Sequence, residues 1–287
     1  MSNDPNSDAK PDAGPDAGPD ADRVIDTGYA DVNGLKMYWE RRGAADGVPL
    51  VVAHGGFGVT SMFGAVLDRL ATDRPVIAIE LQGHGHTADI DRPFSYEAFG
   101  DDLATLIEEL GFEQADLLGY SLGGGSALRA AIQHPARVRR LVVVSSPFRR
   151  DAWFPEARAG MDQMSSAGFE HLRQTPMYAA YVAVAPDPDG FPALMDKTGD
   201  LLRRPYDWTE DVRTLTMPTM YVMGDADSFS PGHGVELFAL LGGGLTDAGW
   251  DGTRPTPHRL AVLPATSHYD IFDAPALTDA VAPFLAD

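Results

Sequence analysis

Ala115-Asp116-Leu117-Leu118-Gly119-Tyr120-Ser121-Leu122-Gly123-Gly124-Gly125 carries the chain from a short apolar run into a helix, and it contains the pattern G-x-S-x-G. Residues 115–118 read as a buried strand and residues 122–133 as a helix stopped by His134-Pro135. A serine on so sharp a strand-to-helix turn sits in strained backbone, and a glycine two residues to either side lets neighbouring chain pass close. The turn lifts the Ser121 hydroxyl clear of the sheet edge at the helix N-terminus, which makes Ser121 the candidate nucleophile. Gly124 and Gly125 continue the close approach of helix to sheet.

Outward from this junction the alternation repeats. Tyr29-Ala30-Asp31-Val32 and residues 35–40 flank Asn33-Gly34, the signal of a tight hairpin. Apolar strands are expected at 49–53, 75–79, 141–144, 219–223 and 259–263. Helices are expected at 61–71 and at the C-terminus over about 274–285. A third is marked by Tyr96, Phe99, Leu103, Leu106, Ile107 and Leu110 at helical spacing, with Gly111 as its stop. A hairpin followed by alternating strands and helices predicts an α/β protein with one doubly wound, mostly parallel sheet. The alternation breaks once, over residues 148–212, which read as an inserted helical cap between two core segments, 23–147 and 213–287. Trp153, Met161, Met177 and Tyr181 in that insert, with Phe57 and Tyr120 of the core, are the candidate substrate-binding wall, because flexible Met and broad aromatics suit an apolar pocket.

Composition narrows the function. The 287 residues include 22 Lys+Arg and 42 Asp+Glu, a net charge of −20 that repels phosphate backbones and anionic lipid, so neither nucleic acid nor a membrane is an expected partner. With no cysteine there is no disulfide, thiolate metal site or cysteine nucleophile. No run approaches the ~18 apolar residues of a membrane helix, and no signal peptide is evident, so a cytoplasmic protein is expected. Residues 1–22, a Pro/Asp/Ala/Gly repeat without a periodic apolar face, are expected to be disordered. Residues 242–257 form a long connection ahead of the last strand, read as a surface loop, with Trp250 as an alternative dimer contact; oligomeric state is left open.

His54-Gly55-Gly56-Phe57-Gly58 follows the strand at 49–53. Glycine-rich backbone at a strand's C-terminal end leaves N–H groups free for an anion. The Gly56 N–H, or that of its neighbour Phe57, together with the Leu122 N–H, is the candidate oxyanion hole, while His54 is read as holding the loop.

His54-Gly55-Gly56, the turn Gly83-His84-Gly85-His86-Thr87, the elbow at Ser121 and a late Asp and His together resemble the α/β-hydrolase superfamily over roughly residues 24–287. Within it the chain looks most similar to the small, capped branch of carboxylesterases, enol-lactonases and cofactor-free perhydrolases. Two positions depart from the family: Glu80 stands where Asp is usual, and His86-Thr87 closes the turn in place of a small polar or Arg–Ser pair. The resemblance implies a triad in the order Ser, acid, His. It places the acid three residues beyond Gly224, at Asp227, with Asp225 as the alternative. The base must lie past the C-terminal end of the last strand, where His268 stands; His258 precedes that strand and belongs to the opposite edge.

His84 and His86 lack a third ligand, so no metal site is expected, and the triad chemistry requires no cofactor. A serine at 121 disfavours dehalogenation and epoxide opening, which need a carboxylate nucleophile. The expected function is hydrolysis of a carboxylic ester or lactone, including large-ring lactones, of a fairly hydrophobic small molecule through an acyl-enzyme. The alternatives are a perhydrolase or C–C bond hydrolase on the same triad, or a hydrolase-fold ligand receptor.

Overall fold

The computed structural model describes residues 24, 26–44, 46–252 and 256–286, so the expectation for residues 1–22 lies outside the described residues. Eight strands, β1 (Asp26–Val32), β2 (Leu35–Arg42), β3 (Leu50–Ala53), β4 (Val76–Ile79), β5 (Ala115–Tyr120), β6 (Val138–Val144), β7 (Thr219–Ala226) and β8 (Arg259–Ser267), form one sheet in the order β1-β2-β4-β3-β5-β6-β7-β8. β2 runs antiparallel to β1 and β4, and the other pairs are parallel. The opening hairpin turns on Asn33 (φ 47°) and Gly34 (φ 89°), the double positive φ of a turn whose twist matches its strands.

The sheet is covered on both faces. Val51 and Ala53 of β3 join Leu117, Val143 and Tyr221 in a core beneath α2 (Tyr96–Glu109) and α3 (Leu122–Gln133). Leu50 and Val52 join Leu118, Val142 and Val222 in a second core beneath α1 (Ala65–Leu70) and the C-terminal helix Pro275–Ala286. Burial on alternate faces is why β3 and β4 are unbroken apolar runs.

One expected helix is different. The run over 61–71 divides into a 3-10 turn, Thr60–Phe63, and α1, because Gly64 between them takes φ 50° and ψ −133°, which a side chain would resist. A helix that the apolar pattern did not reveal follows β7, opened by Pro231 after the capping hydroxyl of Ser230.

Between β6 and β7 the structure is helical: α4 (Pro155–Gln163), α5 (Phe169–Leu172), α6 (Pro176–Val184), α7 (Phe191–Arg203) and α8 (Thr209–Val212), then α9 (Pro231–Leu240) after β7 and α10 (Pro275–Ala286) at the end. Several polar contacts tie this stretch to the core. Lys197 of α7 donates to the Ile90 and Arg92 carbonyls (2.7 and 3.1 Å) and pairs with Asp89 (2.6 Å). Arg149 makes a fork-to-fork pair with Glu236 of α9 (2.6 and 2.7 Å). In the connection at 242–257 the Trp250 side chain is fully exposed, and residues 253–255 lie outside the described residues.

Candidate active site

The elbow is built as its spacing requires. Ser121 has φ 52° and ψ −113°, and its N–H is held by the Val144 carbonyl at 2.9 Å. A β-carbon at position 119 would collide with the Gly123 carbonyl, and one at 123 with the Ala53 and His54 carbonyls. The Gly123 N–H donates to the His54 carbonyl at 3.0 Å, so the same close approach docks α3 against the loop after β3.

Three side chains separated in sequence meet at this rim. Ser121 Oγ lies 3.1 Å from His268 Nε2, and His268 Nδ1 lies 3.0 Å from Asp227 Oδ1. Ser121 is half-buried, whereas His268 and Asp227 are buried. The alternative acid, Asp225, is exposed and accepts from the Thr266 N–H at 3.2 Å. His258 lies at the opposite strand end, where Nδ1 accepts from the Thr219 N–H at 3.3 Å. The Asp227 carboxylate also accepts from the N–H groups of Ser228 (2.7 Å) and Gly224 (3.2 Å) and from Ser145 Oγ (2.5 Å).

In the loop after β3, the Gly58 N–H closes onto the Gly55 carbonyl at 3.0 Å over a turn in which Phe57 takes φ 60°. A β-carbon on Gly56 would meet nothing within 4 Å, whereas one on Gly55 would strike the Tyr120 ring at 2.6 Å. Gly55 is therefore the glycine that packing demands, and the Gly56 backbone faces open space. Leu122 is the first residue of α3, so its N–H has no acceptor within the helix. His54 spans the loop: Nε2 accepts from the Leu81 N–H at 3.1 Å, which leaves Nδ1–H to donate to the Gly55 carbonyl at 2.7 Å. Burial, reinforced by His84 nearby, pushes the His54 pKa down to about 3 and keeps it neutral.

The departures at Glu80, His86 and Thr87 form one unit. The fully buried Glu80 carboxylate accepts from the Thr60 N–H (3.0 Å) and from the N–H and Nδ1 of His86 (2.5 and 2.9 Å). Thr87 Oγ1 donates to the Glu80 carbonyl at 2.7 Å and accepts from the Tyr38 N–H at 2.9 Å. Glu80 thus braces the stretch that leaves the loop after β3, and His86 is a partner of Glu80.

The expected wall residues are distributed unevenly. Trp153 is buried with its ring edge-on to His268, centroids 5.3 Å apart, and its Nε1–H on Tyr206 Oη at 3.2 Å. Phe57 is buried 5.6 Å from the Phe191 ring of α7, and Tyr181 packs on the same ring at 5.1 Å with its hydroxyl on the Asp187 carbonyl. Met161 and Met177 are half-buried against the larger core. Tyr120 packs toward the other core and donates its hydroxyl to the His268 carbonyl at 2.7 Å. Burial, with Asp227 second, raises the Tyr120 pKa and keeps that donor protonated. The sequence did not single out Ser145 or the anchoring role of the Tyr120 hydroxyl; the one available signal was Ser145-Ser146 just after β6, the strand beside β7, which leads to Asp227.

A family model described as alpha/beta hydrolase fold matches residues 48–187. The chain is 32% identical over 218 residues to a pimeloyl-[acyl-carrier protein] methyl ester esterase of Neisseria meningitidis, covering 69% of this chain and 82% of that protein. It is 42% identical over 104 residues to 2-hydroxymuconate semialdehyde hydrolase of a Pseudomonas species, a match covering 35% of this chain and 37% of that protein. The fold is also similar to the crystal structure of the enol-lactonase of Burkholderia xenovorans, with a TM-score of 0.66 and 20% identity over 90% of this chain and all of that one. Among the described residues no helix is long and apolar enough to cross a membrane.

Proposed function

The chain belongs to the α/β-hydrolase fold family, and from that premise we propose that it is a serine hydrolase of carboxylic esters or lactones of fairly hydrophobic small molecules. The observation that carries this reading is the unbroken line from Ser121 Oγ through the His268 ring to Asp227, at 3.1 and 3.0 Å. In this reading His268 Nε2 takes the Ser121 proton as Oγ attacks the carbonyl carbon. Asp227 holds the Nδ1–H tautomer and stabilises the imidazolium. The Leu122 N–H, with that of Gly56 or Phe57, receives the oxyanion. His268 then protonates the leaving alkoxide and activates the water that releases the acid.

Residues 148–212 act as the cap in this reading, supported by Trp153 against His268 and by Phe191 of α7 against Phe57. The Met and aromatic residues of this stretch and the chain's net charge of −20 favour a neutral, fairly hydrophobic substrate. The 42% identity to a semialdehyde hydrolase supports a second reading, C–C bond hydrolysis on the same triad.

Initial rates on p-nitrophenyl esters of several acyl lengths, with wild type beside Ser121→Ala, test the proposal. Wild type should turn over and the variant fall by about four orders of magnitude or more in kcat. Hydrolysis that survives the substitution overturns it. Turnover confined to a ring-fission diketone, with esters inert, selects the second reading.

A further inference from the structure

We infer that Ser145 is a positioning residue of the triad, whose hydroxyl fixes the Asp227 carboxylate in the orientation that faces His268. The inference extends the proposed function and rests on its assignment of the triad.

Ser145 follows the last residue of β6, next to β7, the strand that leads to Asp227. Its N–H donates to the Val222 carbonyl of β7 at 2.9 Å, which fixes its backbone against that strand. It is fully buried and takes φ 49°, the left-handed region that residues other than Gly, Asn and Asp rarely visit. Such strain persists only where the surroundings hold it, and it gathers at functional sites. Here the strained residue directs its one hydroxyl proton onto Asp227 Oδ2 at 2.5 Å, a charge-assisted bond.

The carboxylate shows why that bond matters. Oδ1 takes the Ser228 N–H and His268 Nδ1, and Oδ2 takes Ser145 Oγ and the Gly224 N–H at 3.2 Å. Both backbone donors lie within three residues of Asp227, on the segment that carries it. Ser145 is the donor from outside that segment, 82 residues earlier, so it ties the acid to the end of the neighbouring strand β6. Without it, Oδ2 keeps only the Gly224 N–H at 3.2 Å, and the carboxylate is held less firmly about the Cβ–Cγ bond. Apart from His268, the carboxylate is then held only by backbone donors of its own segment, Gly224 and Ser228.

Ser145→Gly is the discriminating variant, because glycine accepts φ 49° without strain while the hydroxyl is lost. Ser145→Ala removes the hydroxyl and keeps the strain. Both should lower kcat on a p-nitrophenyl ester by about tenfold or more, the loss expected for a hydrogen bond to a charged group, with KM unchanged. The Gly variant should stay folded, with a Tm lowered by no more than a few degrees. The low-field proton resonance of His268 Nδ1–H should shift or broaden in both. A purely structural serine would leave kcat and that resonance unmoved in Ser145→Gly, and that result overturns the inference. The resonance is read without substrate, so it tests Ser145 even if no ester is turned over, which separates failure of this inference from failure of the ester reading.

Discussion

Moving the protein from pH 6.5 to pH 5 should remove about 5 kcal/mol of folding stability through three buried histidines away from the triad. Burial is the largest cause in each: it pushes His54 down to about 3, His84 to about 4 and His233 to about 4. The hydrogen bonds agree with neutral rings. His54 Nε2 accepts from the Leu81 N–H and His233 Nε2 from the Phe148 N–H (3.1 and 3.2 Å), and an imidazolium could accept neither. His84 Nε2 is buried with no hydrogen-bond partner among the described residues, and its ring lies 4.9 Å from that of His54, so two charges there would repel. Because the folded pKa values lie below the unfolded value of about 6.5, the unfolded chain binds protons first as pH falls. Stability is therefore full above that value and declines below it. Each histidine loses about 1.6 kcal/mol between pH 6.5 and 5, against a typical total of about 5–15 kcal/mol for a folded domain. Glu236 and Asp207, held low by Arg149 and by Thr209 respectively, add their losses only at more acidic pH, as it falls through their folded values. Denaturant unfolding followed by circular dichroism at half-unit pH steps measures the slope. A loss below about 1.5 kcal/mol across this window would refute the reasoning.

The remaining expectations concern the site. Asp227→Asn should lower kcat by about three to four orders of magnitude with the fold intact, while Asp225→Asn stays within about threefold; steady-state kinetics on the same ester separates them. Gly123→Ala should fail to give a stable folded protein, because its β-carbon meets two carbonyls, whereas Gly56→Ala should melt within a few degrees of wild type; thermal melts of the pair check the contrast.

The elbow, the placement of His268 beside it and the alternation of strands were legible because each is carried by residues close in sequence. Five letters place Ser121 between a strand and a helix, and the order of elements alone separates His268 from His258. The break at Gly64 was not legible, because the apolar spacing over 61–71 is helical and only the glycine's backbone freedom divides it. Ser145 was hidden for a different reason. Its partner is 82 residues away, and only the adjacency of β6 and β7 joins them. Tyr120 was expected to face substrate as an aromatic beside the nucleophile, but strand alternation turns it toward the second core, where its hydroxyl reaches the His268 carbonyl. The Met and aromatic residues of the stretch 148–212 do not say which of its faces meets Ser121, His268 and Asp227, so Trp153 and Met161 read alike in sequence and differ in place.

Labelling with a fluorophosphonate, followed by intact-mass and peptide mapping of wild type and Ser121→Ala, tests the central claim most directly. A serine activated by His268 should give one adduct per chain on the peptide containing Ser121 and none in the variant. An adduct on another residue, or an unlabelled wild type, would contradict the claim that Ser121 is the nucleophile.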